Sequence, residues 1–305
     1  MTAGDLGATE DFGLKLREIA DQVTVALDRL IPPAAGPEID LMRAMRHGAL
    51  GGGKRLRPFL VIETGRLFGA PERALLRAGC ALECVHAYSL IHDDLPCMDD
   101  DELRHGQPTV HKAFGEATAV LAGDALLTLA FEILTALETH PDSSVRCKLV
   151  GKLAVSAGAR GMVGGQKIDM APPPEDDDQM LSHLARMQRM KTGALIGCAV
   201  EFGSILGGAR ENERQALNGF AHDLGLAYQI KDDLLDIHGN VEELGKAVAK
   251  DKEAGKKNFV SLLGEDGAID RIEMLASQAK AHLGMFGEKG NVLSRTVDFV
   301  LERRY

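Results

Sequence analysis

Apolar residues recur every three or four positions along most of this chain, the spacing of helices with one buried face. Leu16, Ile19, Val23, Ala26, Leu27 and Leu30 form such a stripe, and Pro32-Pro33 ends it. Leu41, Met42, Met45 and Ala49 form a second, shorter one, broken by Gly51-Gly52-Gly53. Pro58 suits the first turn of a helix from Phe59 to Phe68, and Pro71 opens another that runs to about Asp94. The polar stretch from Pro96 to Pro108 reads as a loop. Ala117 to Leu137 carries only Asp124 and Glu132 as charges before its last turn, which predicts a buried helix. Val145–Met162, Gln179–Leu206, Glu211–Ile237, Phe259–Leu263 and Ala268–Leu283 continue the helical pattern, with an irregular stretch bracketed by Gly164-Gly165 and Pro172-Pro173-Pro174. No strand-like alternation with hairpin turns interrupts it. The pattern predicts an all-α fold, a single domain over residues 1–305 of about ten helices, with residues 1–10 a flexible tail.

Composition narrows this picture. Aromatic residues make up 4% of the 305, with no Trp, and Ala, Leu, Met and Gly are plentiful, which favours helix over sheet. The net charge of -10 argues against nucleic acid as a partner. Cys80, Cys84, Cys97, Cys147 and Cys198 are odd in number and follow no zinc spacing, so they read as small core residues in a reducing compartment. The first residues lack a basic start followed by an apolar run, and no run of 18 apolar residues appears. The expectation is a soluble cytoplasmic protein without a membrane span.

The chemistry concentrates where two apolar helices end. His92-Asp93-Asp94-Leu95-Pro96-Cys97-Met98-Asp99-Asp100-Asp101 holds five aspartates in nine residues. Carboxylates this dense repel one another unless a cation compensates, and Mg²⁺ is commonly shared between carboxylates and a substrate phosphate. Asp93 and Asp99 are six apart, on different faces of an ideal helix, with Pro96 between them; spacing alone does not bring them to one ion. Asp232, Asp233 and Asp236 end a second helix and share one face of it. By contrast, Glu175-Asp176-Asp177-Asp178 follows three prolines and reads as a solvated loop. Basic groups accompany the acids: Lys54, Arg55 and Arg57 after three glycines, Arg104, Lys191 with Thr192, and Lys246, Lys250, Lys256 and Lys257. Carboxylate, metal and Lys/Arg together suit polyphosphate groups above an apolar interior.

The ordered stretches GGGKRLRP, HAYSLIHDDLPCMDDDELRHGQPT, LAGDALL, GGQKIDM, KTG, YQIKDDLLD and LGKAVAKDKEAGKK resemble the short-chain trans-prenyl diphosphate synthases, the bacterial farnesyl type above all. The resemblance runs from about Leu41 to Leu263, and it implies an isoprenoid synthase-type bundle around a central apolar cavity. It implies condensation of isopentenyl diphosphate with dimethylallyl or geranyl diphosphate in isoprenoid biosynthesis, giving farnesyl diphosphate, or geranyl or geranylgeranyl diphosphate instead. It also implies a homodimer. Asp93, Asp94, Asp99, Asp232, Asp233 and Asp236 would bind Mg²⁺, three ions with Mn²⁺ as a substitute. Arg104, Lys191, Thr192, Gln229 and Lys246 would contact the allylic diphosphate, the last four as catalytic groups. Lys54, Arg57 and His86 would hold isopentenyl diphosphate.

The family's measure of product length points to Tyr88, with Ser89 beside it. A helix rises about 1.5 Å per residue, so Tyr88 lies roughly 7 Å below Asp93, although the helical wheel alone places Ser89 beneath it. One departure concerns His105, where the family has a second arginine that helps hold isopentenyl diphosphate. Another is Lys257-Asn258-Phe259, read as a packing variant. A class I terpene cyclase and a non-catalytic partner subunit are the rival readings; the intact aspartate motifs and Lys54–Arg57 argue against both.

Overall fold

The computed structural model describes residues 3–238 and 257–303. Packing divides the chain into two compact units, one of Met1–Ile62 with Ala70–Val150 and one of Glu63–Gly69 with Gly151–Tyr305.

The first unit is built on α4 (Glu72–Asp93), whose Leu75, Ala78, Leu82, Cys84 and Val85 have no solvent exposure. Around it lie α1 (Ala3–Leu30), α2 (Ile39–Leu50), the start of α3 (Leu56–Arg66), α5 (Val110–Phe114) and α6 (Glu116–Thr135). The helix α1 buries the Leu16, Ile19, Val23 and Leu27 stripe that the sequence predicts. It starts at Ala3, so residues 3–10, read as a tail, continue it. The stretch after α4 adds a feature the alternation did not signal, a two-residue ladder of β1 (Leu103–Arg104) with β2 (Gln107–Pro108).

Two close approaches set the end of α4. A Cβ on Gly123 of α6 would lie 2.1 Å from His92 Nε2, and one on Gly48 of α2 would lie 2.5 Å from Ile91 Cδ1. Bare glycines therefore let α6 and α2 close on the turn that carries Asp93. The helix α6 is not buried all round, as its composition suggested. Ala119, Ala122, Leu126 and Ala130 face the core, while Val120, Leu121 and Asp124 are exposed. One face is enough to pack on α4, and within a single chain the other meets solvent. By length and apolar composition α4 and α6 are each able to cross a bilayer, but α4 spends that apolarity in the core.

The second unit contains the end of α7 (Ser143–Ala157), then α8 (Met162–Asp169), α9 (Asp177–Gln188), a π-helical turn at Arg189–Gly193, α10 (Ala194–Leu206) and α11 (Glu211–His238). After the undescribed stretch come α12 (Phe259–His282), a 3₁₀ turn and α13 (Asn291–Glu302). Met180, Leu184, Ala227, Ile230, Leu234, Phe259, Ile272 and Leu275 form its core. Gly164 and Gly165, expected to be irregular, lie inside α8; the missing side chain of Gly165 admits the backbone of the π-helical turn, and that of Gly164 admits the Ala159 carbonyl. Asn258 caps α12 through a reciprocal bond pair with Ser261, which gives the unusual Lys257-Asn258-Phe259 a local purpose. All five cysteines are free; Cys80, Cys84 and Cys198 are buried, whereas Cys97 and Cys147 are exposed.

Candidate active site

The first aspartate motif is a helix end folded back on itself. After α4 stops, Leu95 N–H donates to His92 O at 3.2 Å and Met98 N–H to Leu95 O at 2.9 Å. The turn returns so that Asp99 N–H donates to Asp93 O at 2.9 Å. Two residues on different faces of an ideal helix thus become backbone neighbours. Asp100 takes φ 49, a left-handed conformation that aspartate tolerates in tight turns. Asp93 is half-buried, and Asp99 is exposed.

Asp94, expected among the metal ligands, is paired with Arg104 in this structure. It is 2% exposed, and Arg104 Nε donates to both its oxygens at 2.9 Å. Arg104 also lies 3.6 Å from Asp101. A buried carboxylate needs such a partner, and the forked guanidinium supplies it. The pair ties the ladder strand β1 to the end of α4, and these carboxylates hold the Arg104 pKa above its ordinary value against the opposing effect of burial.

The basic loop is likewise not one equivalent patch. Arg55, at φ 49, turns inward to Glu83 Oε1 at 2.7 Å and to Ala49 O at 2.7 Å. It is 6% exposed and serves as an anchor to α4, with half-buried Lys54 and Arg57 on either side. Nothing in the run of basic residues distinguished Arg55 from its neighbours. The Gly-rich turn lies against the β1–β2 ladder: a Cβ on Gly53 would fall 3.9 Å from His105 Nε2, and His47 Nε2 lies 2.7 Å from Pro108 O. His86 sits where these cations converge. Burial, then the positive fields of Arg57, Arg104, Arg55 and His105, hold its pKa well below the usual imidazole value, so the ring is neutral at pH 7. Lys54, Arg57, His86, Arg104 and His105 all belong to the first unit.

Tyr88 is 6% exposed, with its ring edge-on to His92 at 5.7 Å between centroids. Burial, followed by the Asp93 charge, pushes its hydroxyl pKa up to about 12. Ser89 Oγ donates to His86 O at 2.8 Å, which commits it to its own helix.

The second motif lies in the second unit with the remaining described candidates. Lys191 and Thr192 stand on the π-helical turn, where one extra residue per turn re-aims side chains. Lys191 Nζ donates to Asp169 Oδ2 at 2.7 Å, and Thr192 Oγ1 donates to Gln229 Oε1 at 3.2 Å. Gln229 Nε2 donates to Asp233 Oδ1 at 3.3 Å, and Phe259 N–H donates to Asp233 Oδ2 at 3.0 Å. Asp233, read as a metal ligand, is 6% exposed and joins α11 to the first residue of α12. Burial raises its pKa to about 6, although both hydrogen bonds oppose the rise. Asp232 is half-buried and pairs with Arg303 at 2.8 Å; Asp236 is exposed. The Arg303 guanidinium lies 3.7 Å over the Tyr228 ring, a contact that the paired arginines near the end of the sequence did not signal. Lys246, with Lys250 and Lys256, lies outside the described residues.

Among the described residues, no three His, Cys, Asp or Glu side chains are gathered to hold an ion by themselves. Mg²⁺ keeps several waters and uses one or two carboxylates plus substrate phosphate rather than a closed protein cage. Asp93 and Asp99 in the first unit, and Asp232 and Asp236 in the second, supply oxygens only and retain solvent contact, so the donors of each unit suit a hard cation.

A polyprenyl synthetase family profile matches residues 39–280. The chain is 42% identical over 298 residues to the farnesyl diphosphate synthase of Escherichia coli K12, covering 96% of this chain and 99% of that protein. Geranylgeranyl pyrophosphate synthase 4 of Arabidopsis thaliana is 39% identical over 303 residues, 99% of this chain and 80% of the relative. An apo crystal structure of an FPP/GFPP synthase from Zymomonas mobilis superposes with a TM-score of 0.86 at 42% identity, over 96% of this chain and 99% of that one. With the profile spanning both aspartate motifs, and relatives this similar over nearly their whole length, the chain belongs to the polyprenyl synthetase family.

Proposed function

We propose that this protein condenses isopentenyl diphosphate with dimethylallyl or geranyl diphosphate to yield farnesyl diphosphate and diphosphate. The observation that carries this reading is the returned turn of the first motif, which sets Asp99 against Asp93 at the end of α4. Asp93 and Asp99 are assigned to Mg²⁺ on the allylic diphosphate, and Asp232 with Asp236 to the same group. When bound, Mg²⁺ neutralises the charge that develops on the departing diphosphate. Lys191, Thr192, Gln229 and Lys246 are assigned to that diphosphate, where positive charge and fixed dipoles stabilise the negative charge that develops on it. Lys54, Arg57, neutral His86 and His105 are assigned to isopentenyl diphosphate. Arg104, held by Asp94, lends its charge from a fixed position. The two packing units are taken to work as one catalytic domain, in a cytoplasmic homodimer without a membrane span, and Mn²⁺ to replace Mg²⁺.

Buried Tyr88 supports a fifteen-carbon product. Similarity to geranylgeranyl synthases keeps a twenty-carbon product as the second reading. The test is incubation with isopentenyl and geranyl diphosphates and Mg²⁺, then phosphatase treatment and chromatography. Farnesol is expected, and EDTA should abolish it. Geranylgeraniol as the main alcohol favours the second reading; a cyclic hydrocarbon, or no turnover, overturns both.

A further inference from the structure

Within the second unit, α8 crosses the π-helical turn at backbone contact. A Cβ on Gly165 would stand 2.2 Å from Lys191 N and 2.6 Å from Lys191 Cα. No side chain fits there, so glycine at 165 fixes how near the two elements lie. One turn further along α8, Asp169 reaches Lys191, its Oδ2 2.7 Å from Nζ, with both side chains mostly shielded from solvent. The stretch GGQKIDM thus has two parts in contact with one residue, the glycine against the Lys191 backbone and the aspartate on its ammonium. Lysine is a flexible point charge with three donors, and without a partner its head samples many positions. A π-helical turn is itself an irregular platform.

We propose that Asp169 is a positioning residue for Lys191. It fixes the ammonium on the π-helical turn, so that the charge stands ready for a diphosphate oxygen. The inference rests on the assignment of Lys191 to the allylic diphosphate. Gly165 sets the height of the platform and Asp169 the direction of the side chain. Proximity that is established before binding need not be gained afterwards, and misplacement of a charged contact is felt strongly.

The test compares Asp169→Asn, Asp169→Glu, Lys191→Met and the double variant Asp169→Asn/Lys191→Met. Circular dichroism melts establish that each is folded. Steady-state kinetics then give KM for geranyl and for isopentenyl diphosphate separately. Calorimetric titration with inorganic diphosphate and Mg²⁺ reads binding without turnover. For Asp169→Asn, KM for geranyl diphosphate should rise about tenfold, with KM for isopentenyl diphosphate within about twofold of the parent. Diphosphate binding should weaken in parallel. Asp169→Glu, which keeps the charge, should recover at least half of the loss. The double variant should be no worse than Lys191→Met alone, because the aspartate acts through the lysine. Additive losses, equal rises in both KM values, or unchanged diphosphate binding in Asp169→Asn overturn the proposal. If Asp169→Asn does not fold, Asp169→Glu decides by the same selective criterion. Absence of prenyl transfer by the parent enzyme would refute the proposed function, whereas the diphosphate titration would still judge Asp169.

Discussion

Asp94→Asn separates a carboxylate that holds an arginine from one that holds a metal. Asp94 is 2% exposed and receives Arg104 Nε at 2.9 Å on each oxygen. Asparagine keeps the shape and one acceptor, but it removes the charge and points an amide at the guanidinium. Breaking a buried ion pair by changing one partner costs about 3–5 kcal/mol. The lower end applies here, because one acceptor survives and Asp101 stays 3.6 Å from Arg104. At an unfolding entropy of about 2.1 cal/mol/K per residue, about 3 kcal/mol in a chain of this length lowers the melting temperature by about 5 °C. Asp99→Asn is the comparator, on an exposed side chain. The assay is a metal-free melt of both variants, followed by turnover against Mg²⁺ concentration. Asp94→Asn should lose stability, with half-maximal Mg²⁺ as in the parent. Asp99→Asn should melt near the parent and need several-fold more Mg²⁺. If Asp94→Asn melts within 1 °C of the parent, as an order-of-magnitude threshold, and shifts the Mg²⁺ curve as Asp99→Asn does, the holding role is wrong.

Tyr88→Ala should lengthen the product beyond fifteen carbons by chromatography, at a stability cost of about 3 kcal/mol for the buried ring; an unchanged product removes Tyr88 as the floor. His105→Arg should lower KM for isopentenyl diphosphate and flatten its rise between pH 6 and 8, since imidazole loses its charge over that range whereas guanidinium does not; identical pH profiles for the two proteins would count against it. His86 has a folded pKa held below the unfolded value of about 6.5 by burial and by Arg57, Arg104, Arg55 and His105. Its contribution to stability is therefore complete above that value and is lost as pH falls towards the folded pKa. Melts at pH 7.5 and 5.5 should show a smaller acid-induced drop for His86→Gln than for the parent, and an equal drop would refute the assignment.

Much of the architecture was readable along the chain because helix-forming patterns are local. The Leu16–Leu27 stripe and the proline before α4 depend on neighbours within a few positions, and periodicity reports them. The first failure of this logic is α6. Its apolar composition predicted burial all round, yet Val120 and Leu121 are exposed, because composition measures the helix and burial measures what packs on it. The glycines of α8 were misread as a break, since a gap that admits another backbone looks in sequence like a turn.

The sequence by itself determined the helical class, the family and the two acidic helix ends with their accompanying cations, for those are patterns of residue type and order. Only the tertiary structure decided which acids are equivalent. Asp93 and Asp99 become neighbours through a turn that helical spacing denies, whereas Asp94 and Asp233 are drawn inward to Arg104 and to the Phe259 N–H. Adjacent aspartates look alike as letters. A buried charge, however, needs a partner from elsewhere in the chain, and a solvent-facing one can wait for a cation; that difference in desolvation is set by packing alone.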